Sequence, residues 1–162
     1  MLPEFNYHTE KDYAENLPSF DHIYAAQVYY YELRTEKLLI FGEIVAEFDL
    51  KLDYSPESLI ALERIYFDMM KNNLFYDLSL TNEEFEEYLS IYFGEVIVRN
   101  SLDAEWVVRE YPFVEGTYTM GIRSGRFTTH FQNLFEKHYL SCKDASKQTI
   151  YKRYLRMVRK KA

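Results

Sequence analysis

The side chains able to do nucleophilic or metal chemistry are few: His8, His22, His130, His138 and the single cysteine, Cys142. His130 and His138 are eight residues apart, which puts them on a similar helical face but two turns from each other, too far to chelate one ion. No H-E-x-x-H, His–carboxylate or His–Cys spacing of a metal site occurs, so the sequence predicts no metal. Cys142 follows His138 at i, i+4, where a protonated imidazole could lower a thiol pKa. Ser141 and Lys143-Asp144 mark a helix end that frays this pairing, so the cysteine reads as structural. Gly121-Ile122-Arg123-Ser124-Gly125-Arg126 offers two glycines and two guanidiniums ahead of a helix, the materials of an anion cradle. It matches neither the P-loop nor the dinucleotide fingerprint, and a connecting turn is the simpler reading. No cofactor is predicted.

A second constellation centres on Glu95. Gly94 on a helix lacks Cβ and permits close approach of another backbone, around which Tyr92, Val96 and Trp106 would pack. A carboxylate beside such a crossing needs a partner, and Arg99 one turn later supplies it, so a structural ion pair is favoured over a catalytic acid. If a cleft exists, Glu95, Arg99, Trp106, Arg123 and Arg126 are the residues expected to line it. Tyr29 and Tyr30, with Tyr24 and Tyr31, could form an aromatic platform for bases or a protein interface. Consecutive helical residues point in different directions, so at least one of them should be exposed and core packing should take the others. Glu83, Glu84, Glu86 and Glu87 read as helix-start acids that complement the macrodipole.

These residues are positioned by elements that the pattern itself suggests. Residues 1–19, punctuated by Pro3 and Pro18, read as an irregular lead-in ending at Ser19 as an N-cap. Phe20, Tyr24, Val28, Tyr31, Leu38, Phe41, Val45 and Phe48 keep helical spacing, with strand as the alternative over 38–48. Ser55-Pro56 opens a second helix, and Thr81-Asn82-Glu83-Glu84 is a capping box for a third, in which Glu84 should reach back to the Thr81 N–H. After Asn100 the period shifts toward two. Trp106-Val107-Val108 and 117–122 then predict a β-hairpin, followed by a turn over 121–126 and a helix carrying Phe131, Leu134, Phe135, His138 and Tyr139. A basic amphipathic helix over 145–161 closes the chain. The stretches Phe41-Gly42-Glu43-Ile44-Val45 and Phe93-Gly94-Glu95-Val96-Ile97 stand 52 residues apart with unmatched flanks, and read as coincidence, not as a repeat. The fold class is α+β: a single, mostly helical domain of four to five helices around a small antiparallel hairpin or sheet.

Composition agrees. Five glycines and four prolines in 162 residues disfavour turn-dense architectures, while 12 Phe, 16 Tyr and one Trp supply an aromatic core. No basic, apolar leader and no run of membrane-spanning length is visible, and one cysteine allows no internal disulfide, so a cytoplasmic location is expected. The net charge of −7 divides unevenly, with residues 1–142 at −14 and residues 143–162 at +7. Such a body repels phosphate backbones and attracts basic proteins. Nucleic acid or a membrane surface could then be met only through the basic tail, and a homodimer would be one way to bury surplus rings.

Two stretches carry a resemblance. Leu52-Asp53-Tyr54-Ser55-Pro56-Glu57-Ser58-Leu59 resembles an LDYS-x-x-SL helix opening, and Tyr92-Phe93-Gly94-Glu95-Val96-Ile97-Val98-Arg99-Asn100 with Trp106 resembles a Y-x-GEVI-x-RN…W element. Both are similar to small uncharacterised bacterial domains, some associated with toxin immunity. The family pattern carries glycines before the Trp, where this chain has Ser101-Leu102-Asp103-Ala104-Glu105. What the resemblance and the charge imply together is a non-enzymatic interaction domain, immunity-like, whose acidic face binds a basic protein. The alternative is a ligand-binding or enzymatic domain with a cleft near Glu95, Arg99 and Trp106.

Overall fold

The computed structural model describes residues 17–125, 127–129 and 144–158. Arg126, His8, His130, His138, Cys142, the helix expected over Phe131 to Tyr139, most of the lead-in and Arg159 to Lys161 lie outside them.

The first helix, α1 (Ile23–Ala46), runs unbroken for 24 residues, which removes the strand alternative over its second half. It starts later than expected. Ser19 does not cap it, because the backbone there pairs with the sheet: Ser19 bridges Thr117, the Phe20 N–H donates to the Gly116 carbonyl and the Tyr118 N–H to that of Pro18. His22 caps instead, its Nδ1 accepting from the Ala25 N–H at 3.3 Å. Helix α2 (Ser58–Asn72) opens on the Ser55-Pro56 signal. The Ser55 hydroxyl accepts from the Ser58 N–H at 3.2 Å, and bonds from Ser58, Leu59 and Ile60 to carbonyls three residues back give a tight turn before regular helix begins. Asn73 closes it in the left-handed region, its N–H returning to the Met69 carbonyl.

A 3₁₀ turn over Tyr76–Leu78 leads to α3 (Asn82–Asn100). The Thr81 hydroxyl accepts from the Glu84 N–H at 3.0 Å, as a capping box requires, but the Glu84 carboxylate takes the Thr81 hydroxyl instead of its N–H. Strands β1 (Ala104–Glu110), β2 (Tyr118–Ser124) and β3 (Phe127–Thr129) form an antiparallel sheet in that order. The expected turn over 121–126 is corrected here: Gly121, Ile122 and Arg123 are strand residues paired with Val107, Trp106 and Glu105, so their backbone groups serve the ladder and cradle no anion. Among the described residues of that span the tip at Gly125, with φ +60°, is where the chain turns.

The closing helix is also shorter than expected. A 3₁₀ turn at Ala145–Lys147 and a left-handed Gln148 precede α4 (Thr149–Met157), which docks through buried Ile150 and Tyr154. The main core joins Phe41 and Val45 of α1 to Leu59, Leu62 and Tyr66 of α2, to Phe85, Tyr92 and Phe93 of α3, to Ile122 and to α4. A smaller cluster of Ala26, Tyr30, Val108 and Tyr118 fixes the first half of α1 to the hairpin. The architecture is α+β and mostly helical.

Candidate functional site

The two motif stretches meet. Tyr92, fully buried in α3, accepts the Tyr54 N–H at 3.0 Å and shares a hydrogen bond with the Ser58 hydroxyl at 2.7 Å. Asn100 donates to the Tyr54 carbonyl at 3.0 Å and to that of Val96 at 2.8 Å. Both backbone groups of Tyr54 are thus held, which fits its φ of +60°, a conformation that costs a non-glycine residue on the order of 1–2 kcal/mol. Burial raises the Tyr92 pKa and the Ser58 hydrogen bond opposes that rise, so the phenol stays neutral and able to serve both partners.

Around Glu95 the chain builds a ladder of charges and rings. The carboxylate takes the Arg99 Nε at 3.0 Å and the Trp106 indole N–H at 2.7 Å. Arg99 lies 3.5 Å over the Tyr54 ring, and Arg34 of α1 sits 5.6 Å over Trp106 and 5.1 Å over Tyr31. A Cβ on Gly94 would fall 2.4 Å from Trp106 Cη2 and 2.8 Å from Ile122 Cδ1. The glycine therefore admits an indole, not the backbone crossing expected from the sequence. Glu95, Arg99 and Trp106 do come together, with both carboxylate oxygens engaged by partners from the chain itself.

Arg123 is elsewhere. It pairs with Glu105 across the hairpin, one register step from the Trp106–Ile122 pair and therefore on the opposite face, where both side chains are exposed. Arg126 lies outside the described residues. The expected tyrosine platform divides: Tyr30 is buried, its hydroxyl donating to the Tyr118 carbonyl, while Tyr29 is 41% exposed and packs on Phe20 and Tyr30. Among the described residues no group of three metal-ligating side chains converges, and no helix is long and apolar enough to cross a membrane.

The outward face of α1 is what motif reading missed. Tyr24, Val28 and Leu39 are 72%, 59% and 69% exposed, and with Thr35 and Ala46 they form one row at four- and seven-residue steps. Beside it runs a second exposed row, Glu32, Glu36, Glu43 and Glu47. The cations of α1 are turned away from both, Arg34 to Trp106 and Lys37 to Glu87 at 3.3 Å. A helix that is apolar beyond its core-facing stripe is the available sequence signal: Tyr24 and Val28 already shared the spacing of the core residues, and only the fold shows which of them stay outside.

Residues 19–158 match the family model described as uncharacterised protein YwmA. The chain belongs to the YwmA family. Its similarity to the uncharacterized protein YwmA of Bacillus subtilis (strain 168) is 38% identity over 135 residues, covering 83% of this chain and 86% of that one. No solved structure matches. The expectation of an uncharacterised bacterial family holds at that level, and the matched range includes α1, α2, α3 and α4.

Proposed function

We propose that this YwmA-family chain is a non-enzymatic protein-interaction domain of the bacterial cytoplasm whose acidic face binds a basic partner. The observation that carries the reading is the pair of rows on α1. Glu32 and Glu36, and again Glu43 and Glu47, are like charges at i, i+4, each pair unfavourable by roughly 0.2–0.5 kcal/mol. Glu43 and Glu47 also stand at the C-terminal end of the helix, where the dipole disfavours anions and no basic residue occupies the last turn. None of the four makes a salt bridge to a described residue. A bound cationic surface would relieve all of these costs together, and the exposed apolar row beside them supplies the burial that fixes a partner. An immunity-type role is the specific form suggested by the motif resemblance.

The Glu95 ladder supports the same reading from the other side. Its carboxylate and both guanidiniums are committed to internal contacts, an arrangement that braces α1, α3, β1 and the Tyr54 segment. The test is capture of host proteins on the immobilised chain at low and moderate salt, with mass-spectrometric identification. A basic protein eluted by rising salt is the expected result; retention of none overturns the reading.

A further inference from the structure

Alongside the apolar row, the second half of α1 and the segment 50–54 enclose a groove of about 290 Å³. Leu38, Leu39, Gly42 and Ala46 line it from the helix, Leu50 and Leu52 face them, and Lys51 is the charged residue of its lining. Gly42 forms part of the floor. A Cβ there would meet nothing nearer than Leu52 Cδ1 at 4.0 Å, so the chain's own packing does not require a glycine at a mid-helix position where glycine is unfavourable.

The Phe93-Gly94-Glu95 site, though no repeat of Phe41-Gly42-Glu43, shows what a helical glycine between a Phe and a glutamate can seat. In Phe93-Gly94-Glu95 the Phe is buried, the indole of Trp106 lies against the glycine, and its N–H reaches the glutamate at 2.7 Å. In Phe41-Gly42-Glu43 the Phe is likewise buried on a helix, the glycine is open and the glutamate is exposed. Arg99 neutralises Glu95 from i+4, whereas the residue at i+4 from Glu43 is Glu47. The Gly42 surface is therefore open and largely apolar, with Lys51 in its lining and, on the adjoining row of α1, exposed glutamates that make no salt bridge to a described residue.

We propose that the Gly42 groove seats a tryptophan side chain from a lysine- and arginine-rich helical segment of a partner protein, with the basic flank lying along Glu32, Glu36, Glu43 and Glu47. This rests on the interaction reading above and adds the place and the anchor. Charge complementarity disfavours the α1 face of a second copy, which would bring another glutamate row to the interface, and a second copy's own basic C-terminal helix is the competing occupant that the oligomeric state must exclude.

The probe is a fluorescein-labelled amphipathic Leu/Lys helix of about 18 residues with one central Trp, titrated by anisotropy into the full chain at low salt. Binding should weaken by about tenfold when the probe's Trp becomes Ala, when Gly42→Met fills the groove, or when Glu43→Lys reverses the charge of the glutamate next to Gly42 in sequence. Neither protein change should lower Tm, since both remove an unfavourable feature of the free helix, so lost binding is separable from lost folding. Equal binding of a Leu/Glu probe, indifference to Gly42→Met and Glu43→Lys, or no binding overturns the inference. So does a dimer by sedimentation that Leu39→Asp dissociates, which would make a second copy the occupant. Salt-sensitive capture of a basic host protein that persists in the Gly42→Met chain removes the groove alone and leaves the interaction reading standing.

Discussion

Gly94 and Gly42 occupy helices that pack on each other and differ in what an added methyl would touch. Gly94→Ala drives a Cβ into Trp106 and Ile122, and overpacking of this kind costs about 1–3 kcal/mol or more. Gly42→Ala brings its Cβ to van der Waals distance of Leu52 Cδ1, 4.0 Å, with no clash, and should gain up to about 1 kcal/mol from helix propensity. Urea titration of the two variants should therefore move the midpoint in opposite directions, and movement in the same direction would contradict the packing described. Trp106→Phe keeps the ring over Gly94 while deleting the donor to Glu95. With that oxygen left short of a partner at a part-buried site, a loss of about 1–3 kcal/mol is expected from the same titration.

Among the elements, the attachment of α4 to α2 contains a buried acid. Glu63 is 0% exposed, and its carboxylate faces backbone N–H groups of α4 without closing a hydrogen bond of good geometry to them. Burial raises its pKa from 4.5 to about 7, opposed by the N–H groups of Ile150 and Thr149 at the start of α4 and by Lys152. Because the folded pKa exceeds the unfolded one, the stabilisation is complete below about pH 4.5 and is lost as pH rises through about 7. Glu63→Gln should match the parent near pH 4.5 and exceed it by up to about 3 kcal/mol at pH 8, measured by denaturation at both values. A constant difference across that range would show that the carboxyl does not titrate in this interval. The start of α3 was legible in sequence because a cap is local: Thr81 and Glu84 lie within one turn of each other. Ser19 misled for the opposite reason, since its backbone is claimed by Thr117, almost a hundred residues away along the chain. Non-local pairing at a shorter range hid the length of β2, whose Gly121 looks like part of a turn until Val107 and Trp106 are known to pair with Gly121 and Ile122. Likewise the Glu95–Arg99 pair is an i, i+4 relation visible in sequence, whereas the indole of Trp106 over Gly94 arises only once β1 folds back on α3.

Across the whole molecule, charge and shape act on different parts of an encounter. Residues 1–142 carry −14, and Glu32, Glu36, Glu43 and Glu47 extend over roughly 22 Å of α1 at about 1.5 Å per residue. Attraction on that scale acts before contact, over a Debye length of about 30 Å at 0.01 M salt that contracts to about 8 Å at 0.15 M. Association of a basic helical probe should therefore slow by roughly tenfold or more between those salt concentrations, and reversing Glu32, Glu36, Glu43 and Glu47 together to Lys should flatten that dependence. Filling the groove does something else. Gly42→Met leaves the long-range field untouched and removes only the seat for the anchoring side chain, so it should raise the dissociation rate while the association rate and its salt slope stay unchanged. Stopped-flow mixing resolves the two constants. A groove substitution that altered the association rate, or a charge reversal that altered dissociation alone, would mean that the glutamate row and the Gly42 seat do not divide the work of binding in this way.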